Sequence, residues 1–241
     1  MTDGELAAQL ATEAGKMLLA LQRTGSGKAI GDEGDRMANG FLCAAIRKAR
    51  PGDALLSEEE TDCTSRCSIS RVWIVDPLDG TREYSEGRND WAVHVALAVD
   101  GIAAAGAVAL PALGLTLCSE KPHILPPANR PLKIVVSRTR PAAEAVALAE
   151  KLGAELLPMG SAGAKAMAVV RGEADIYLHT GGQYEWDNCA PVAVAEAAGL
   201  HCSRLDGSPM RYNNANPYLP DLLICRIELV GAIRAALGVP S

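Results

Sequence analysis

The sequence predicts an α/β protein in two halves: an antiparallel-rich sheet half over 1–125 and a half of alternating strands and helices over 130–241. Three observations carry this expectation. Asp100-Gly101 separates two apolar runs, which is the strongest short-range signature of a β-hairpin. Beyond residue 133, short apolar runs alternate with helix-periodic stretches, the pattern of layered α/β architecture. Between the two regions four prolines (122, 126, 127 and 131) interrupt the chain and mark a boundary.

In chain order, Leu6, Leu10, Met17 and Leu21 fall on helical spacing and predict a helix over 3–22. The glycine-rich stretch Thr24 to Gly34 reads as a loop, and a second helix is expected from Asp35 to Ala49, stopping before Pro51-Gly52. Ala54 to Leu56 reads as a strand that delivers Glu58-Glu59-Glu60, followed by a polar, cysteine-rich turn. Val72 to Val75 reads as a buried strand running into Asp76, and 76–90 as a loop. Strands are then expected at 91–99, 102–110 and 115–118. In the second half, strands are expected at 133–136, 155–157, 174–178 and 222–225, and helices at 141–152, 161–171, 188–198 and 227–237. The Ala-rich stretches 103–109 and 190–198 read as faces that pack closely.

Composition narrows the function. The chain is 49% hydrophobic but only 4% aromatic, so Ala, Val, Leu and Ile must fill the core. No apolar run reaches the ~18 residues of a membrane span, and the N-terminus lacks the basic and apolar regions of a signal peptide. A cytoplasmic protein with no membrane partner is expected. A net charge of −6 disfavours a nucleic-acid polymer as partner while leaving room for a small anion bound by local cations. Seven scattered cysteines read as free thiols, with a redox pair at Cys63 and Cys67 as the main alternative and a zinc site disfavoured by spacing.

The chemistry is carried by acids placed after strands and at a helix start. Asp76-Pro77-Leu78-Asp79-Gly80-Thr81 follows Trp73-Ile74-Val75 directly. Pro77 turns the chain after Asp76, and Gly80 permits a close approach, so Asp76 and Asp79 can converge. Asp187 stands where a helix is expected to begin, with Pro191 in its first turn and Gly199 at its end. Carboxylates brought together without cations repel one another, whereas Mg²⁺ takes oxygen ligands and keeps room for water and phosphate oxygens. Asp-x-x-Asp-Gly fits neither a calcium EF-hand loop nor the Asp-x-Asp of phosphatases that form an aspartyl-phosphate.

Together, Ser57-Glu58-Glu59, Asp76 to Thr81 and Trp186-Asp187-x-x-Ala190-Pro191 resemble the inositol monophosphatase superfamily over essentially the whole chain. Asp79-Gly80-Thr81-Arg82-Glu83-Tyr84 and Ser137-Arg138-Thr139 are similar to its CysQ-type branch, the 3′(2′),5′-bisphosphate nucleotidases. The resemblance implies a five-layered αβαβα sandwich, usually dimeric and often inhibited by lithium. It implies one Mg²⁺ on Glu58, Asp76 and the Leu78 carbonyl, a second on Asp76, Asp79 and Asp187, and a weaker third at Glu58. Glu59 could exchange roles with Glu58. Gly80 and Thr81 would offer backbone donors to phosphate, and Thr81 with Asp35 would help activate water. Many relatives carry Ser/Thr-Pro-Val-Thr before the acid matched to Asp35; this chain does not, so Asp32 and Glu33 stay open as alternatives.

The reaction expected is attack of a metal-activated water on a phosphate monoester, without a phosphoenzyme. The four histidines, 94, 123, 179 and 201, read as structural or surface residues. Ser161 and Lys165 at a helix start, and Arg138 after a strand, are candidate substrate contacts. The leading substrate is 3′-phosphoadenosine 5′-phosphate, in the service of sulfur assimilation; inositol 1-phosphate or fructose 1,6-bisphosphate is the alternative, and a catalytically silent binding protein is remote.

Overall fold

The computed structural model describes residues 1–239; Pro240 and Ser241, the end of the predicted C-terminal half, lie outside the described residues. Helix α1 (Asp3–Gln22) opens on a reciprocal cap: Glu5 N donates to Thr2 Oγ1 at 3.1 Å, and Thr2 N donates to Glu5 Oε2 at 2.9 Å. Helix α2 (Lys28–Ala49) begins seven residues before the expected start at Asp35, so 28–34 is not a loop. Its glycines serve packing there. A Cβ on Gly31 would sit 2.3 Å from Ser85 Oγ, and one on Gly34 would meet Leu18, Leu78 and Tyr84 at 3.1–3.2 Å.

Strands β1 (Ala54–Ser57) and β2 (Arg71–Asp79) pair in parallel. A five-residue helix α3 (Thr81–Ser85) then occupies part of the expected 76–90 loop. β3 (Ala92–Val99), β4 (Ile102–Leu110) and β5 (Leu115–Cys118) continue antiparallel, giving the order β1-β2-β3-β4-β5. The Asp100-Gly101 hairpin is present, both residues at positive φ (50° and 77°), as a two-residue turn requires.

The second sheet is built from β6 (Lys133–Ser137), helix α4 (Ala143–Leu152), β7 (Glu155–Met159), helix α5 (Ala162–Val170), β8 (Ile176–Tyr184), helix α6 (Glu185–Ala197), β9 (Leu200–Ser203) and β10 (Tyr218–Arg226), in the order β7-β6-β8-β10-β9. β9 escaped the sequence reading, and β8 runs six residues past the expected end at 178. α6 starts at Glu185 rather than at 188, so Pro191 lies in its second turn. A short 3₁₀ turn (Ile227–Leu229) precedes helix α7 (Val230–Leu237).

Three apolar clusters define the layers. Leu10, Leu18 and Leu42 of α1 and α2 pack on Trp73, Val75 and Val95 from one face of the first sheet. Ile74, Ala96 and Val108 on its other face meet α5 and α6, which also cover Val135, Tyr177 and Leu222 of the second sheet. α4 and α7 close the far side through Leu148 and Ile233. The result is an αβαβα sandwich. Its middle layer sits tight because a Cβ on Gly106 of β4 would fall 2.9 Å from Ala193 Cβ and 3.1 Å from Ala190 Cα of α6.

Candidate active site

The acid motif lies in a β-bulge. Asp76 pairs with His94, and Asp79 with Ala92, so three steps along β2 span two along β3. In a regular strand Asp76 and Asp79 would project to opposite faces; opposite residues two apart on β3, they emerge on the same face. Pro77, with no N–H to lose, tolerates the irregular pairing, and Leu78 N donates to Asp76 Oδ1 at 3.1 Å. Gly80 follows at φ +90°, where a Cβ would lie 2.8 Å from Ser161 Cβ.

Asp79 is buried against the start of α5. Its Oδ1 accepts from Ala162 N at 3.1 Å and its Oδ2 from Gly163 N at 2.5 Å. The buried His94 ring is held between Asp79 Oδ2 (Nε2 at 3.2 Å) and Trp186 O (Nδ1 at 3.0 Å). Asp187, in the first turn of α6, accepts from Tyr184 N at 2.6 Å. Carboxylate oxygens of Asp76, Asp79 and Asp187 all lie within 4.8 Å of one another.

That crowding is expressed in their acidities. Burial, then the charges of Glu58, Asp79 and Asp187, pushes Asp76 well above the usual carboxylate range. Burial and Asp79 push Asp187 up to about 6. Asp79 goes the other way: burial raises it, but His94 and the α5 backbone hold it below its ordinary value. Three all-oxygen ligands with this much unbalanced charge fit a hard divalent cation.

Glu58 is not one of that mutually close group, yet it belongs to the same field. Although much of its side chain is exposed, burial of the carboxyl and then Asp187 and Asp35 push it up to about 7. Glu60, the third acid of the run, is committed to Arg47 at 2.5 and 3.1 Å. Of the three acids open beside Thr81, Asp35 is the one within reach of its hydroxyl. Thr81 Oγ1 lies 3.4 Å from Asp35 Oδ1 and 3.1 Å from Leu78 O. Asp32 pairs with Lys28 and Glu33 with Arg36, both at 2.6 Å on the surface. Burial, then the charge of Glu59, raises Asp35 to about 7.

A cavity of about 440 Å³ opens from Asp79 and Asp187 towards Lys165, Arg82, Arg140 and Tyr184. Lys165 is buried; its Nζ donates to Ser161 O at 2.7 Å and to Gly160 O, and lies 5.6 Å from the Tyr177 ring centre. Burial lowers its pKa against the pull of Asp79. Ser161 caps α5, its Oγ accepting from Ala164 N at 3.1 Å, and does not line the cavity. Arg138 also points elsewhere: its guanidinium is held by Glu83 at 2.9 Å and Glu86 at 2.6 Å, which neutralise it. Arg140, two residues on, does line the cavity. A slightly larger cavity, about 470 Å³, lies between Leu110, Met159, Arg88 and Arg171, but Asp90 and Glu173 already pair with both arginines. His94, Tyr177 and Arg140 were missed; none stands in a motif, and only the β2–β3 register brings His94 beside the acids. Cys63 and Cys67 are free and exposed.

The raised acids make a test of cation binding. A carboxyl at about 6–7 in the folded state against 3.8–4.5 unfolded favours folding at low pH, and that contribution is lost as pH rises through 6–7. A bound cation reverses the loss, and protons compete with it below that range. The gain in Tm on adding Mg²⁺ to chelator-treated protein is therefore expected to be small at pH 5 and to grow towards pH 8. Burial lowers His179 and His201 in both samples alike, so their effect cancels in the difference. A gain independent of pH, or none, would count against the acids as ligands.

The chain belongs to the inositol monophosphatase family, whose pattern it matches over residues 5–224. It is 49% identical to the 3′-phosphoadenosine 5′-phosphate phosphatase of Mycobacterium leprae, over 97% of this chain and 94% of that one. The 3′(2′),5′-bisphosphate nucleotidase CysQ of Escherichia coli K12 is 29% identical over 77% of this chain and 80% of its own. Among solved structures, CysQ from Bacteroides thetaiotaomicron superposes with a TM-score of 0.81 at 24% identity, covering 92% of this chain and 96% of that one. Inositol monophosphatase II from Staphylococcus aureus superposes at 0.78 and 19% identity, covering 96% and 92%. At such identities these structures speak for the shared fold.

Proposed function

We propose that the chain is a Mg²⁺-dependent phosphomonoesterase that hydrolyses the 3′-phosphate of 3′-phosphoadenosine 5′-phosphate to give AMP and phosphate. The observation that carries this reading is the convergence of Asp76, Asp79 and Asp187 at the end of a cavity whose other walls bear Lys165, Arg82 and Arg140. Identities of 49–50% to mycobacterial proteins named for that activity support the choice of substrate.

Glu58, Asp76, the Leu78 carbonyl, Asp79 and Asp187 would hold the ions, two with a weaker third. When bound, they supply Lewis acidity that makes water a better nucleophile and offsets charge on the phosphate. The protein's own groups do the rest. Thr81 has one hydroxyl proton and two acceptors in reach; donated to Asp35, it leaves an oxygen lone pair free to accept from the attacking water. Asp35, with a pKa near 7, is suited to receive a proton at neutral pH. His94 and the α5 backbone keep Asp79 ionised and fixed. Arg140 lines the cavity where a second, non-reacting phosphate would be held; Arg82 also lines it but pairs with Glu86 at 3.0 Å. The Ser161 hydroxyl is committed to its cap, which agrees with attack by water rather than by a side chain.

The deciding experiment is phosphate release from 3′-phosphoadenosine 5′-phosphate, inositol 1-phosphate and fructose 1,6-bisphosphate, each with and without Mg²⁺. A kcat/KM at least tenfold higher for the nucleotide, dependent on Mg²⁺, is expected. Preference for either sugar phosphate would overturn the substrate, and undiminished turnover in chelator would overturn the metal.

A further inference from the structure

The turn between β1 and β2 holds an arginine with no evident surface purpose. Arg66 is only 3% exposed, and its guanidinium makes a fork to Asp62 (Nε–Oδ1 2.7 Å, Nη2–Oδ2 2.8 Å). The rest of it crosses to the other half of the molecule: Nη1 donates to Asn213 Oδ1 at 2.8 Å and Nη2 to Asn214 O at 2.9 Å. Asn213 answers by donating its Nδ2 to Arg66 O at 3.1 Å. Asn213 sits at φ 63°, an uncommon backbone state for a residue with a Cβ, kept because the surrounding bonds over-determine it. From there the network reaches Glu185, the fully buried first residue of α6. Its carboxylate accepts from Asn213 N at 2.7 Å, Asn214 N at 2.8 Å and Asn214 Nδ2 at 2.8 Å. Asp187 lies in that same first turn, and Glu58 lies on the chain leading into Arg66.

We propose that Arg66 is a positioning residue for metal binding: through Asn213, Asn214 and Glu185 it fixes the helix turn bearing Asp187 against the connection bearing Glu58. The inference rests on the metal reading above. Asp76 and Asp79 belong to the first sheet and Glu58 follows its strand β1, while Asp187 belongs to a helix of the second half, so their spacing depends on what ties those segments together. The Arg66 network is such a tie, in addition to the His94–Trp186 bond.

The sign of the effect separates positioning from simple charge. Removing a cation near an acidic site would tighten Mg²⁺ binding if charge alone mattered, whereas loosening the ligands weakens it. The experiment is calorimetric titration of Mg²⁺ into metal-free protein without substrate, paired with the Mg²⁺ dependence of activity. Arg66→Ala is expected to weaken binding about tenfold, the low end of what outer-sphere partners of a ligand contribute. Asn213→Gly adopts the same φ without strain but removes the side chain that receives Arg66, and is expected to shift binding the same way; it decides the matter if Arg66→Ala does not fold. Arg71→Ala is the control. It breaks an equally forked pair with Asp53 (2.9 and 3.0 Å) at the end of β2 remote from the acids, and is expected to leave the isotherm unchanged. Unchanged or tighter binding in folded Arg66→Ala or Asn213→Gly, or equal weakening in Arg71→Ala, would overturn the positioning role alone. No Mg²⁺ binding by the unsubstituted protein would overturn the metal reading and this inference together.

Discussion

Asp79→Asn is expected to lower kcat by about a thousandfold or more at saturating Mg²⁺, since a cation's charge stabilisation is worth several kcal/mol and each 1.4 kcal/mol is a factor of ten. The amide is nearly isosteric but carries no charge, and its geometry fits the pocket poorly. Asp79 presents two acceptors, one to Ala162 N and one to Gly163 N. Asparagine keeps one acceptor and turns an NH₂ towards the other donor, so a buried N–H loses its partner. His94 also loses the anion that raises its pKa against burial, and so titrates to neutral at lower pH than in the parent. Measured together, kcat, Mg²⁺ affinity and Tm are all expected to fall. A variant retaining kcat within tenfold would remove Asp79 from the reaction.

Gly163→Ala is expected to damage both stability and activity. The added Cβ would sit 2.1 Å from His94 Nε2 and 3.0 Å from both Ala92 Cβ and Asp79 Oδ2. The ring has little room to step aside, because Trp186 O holds its other nitrogen at 3.0 Å and the ring itself is fully buried. Overpacking of this kind costs about 1–3 kcal/mol. For a chain of this size that corresponds to roughly 2–12 °C in Tm. The same clash displaces Asp79 from α5, so activity is expected to fall further than stability implies. Gly40→Ala supplies the contrast. That exposed position in α2 has open space around it, and alanine gains about 1 kcal/mol of helix propensity, so Tm is expected to rise. A Tm for Gly163→Ala equal to the parent's would mean that the α5–β3 contact is looser than described.

The acids of the site were legible because their types, order and spacing suffice: a strand, then Asp-Pro-Leu-Asp-Gly, then an aspartate opening a distant helix. What joins them was not. The bulge that puts Asp76 and Asp79 on one face exists only in the pairing of β2 with β3, and the same register sets His94 beside Asp79. A lone histidine in an apolar strand gives no hint of that. Glycine was the main source of error in the fold. In Thr24 to Gly34 it suggests turning, whereas Gly31 and Gly34 lie in α2 where neighbours leave no room for a Cβ. β9 is four residues long with a half-buried centre, too short for periodicity to register. Nothing in the sequence reveals that Glu83 and Glu86 hold Arg138.

A ribosome that has finished β5 at Cys118 has made a sheet with one clothed face and one bare one. α1 and α2 already cover Trp73, Val75 and Val95, but the partners of Ile74, Ala96 and Val108 are α5 and α6, still unsynthesised. At about 5–20 residues per second, several seconds pass before α6 emerges. Throughout that interval the nascent first half displays the apolar surface that α5 and α6 cover in the folded chain. The layer that completes the active site is thus also the cover for which the first sheet waits while the chain is made.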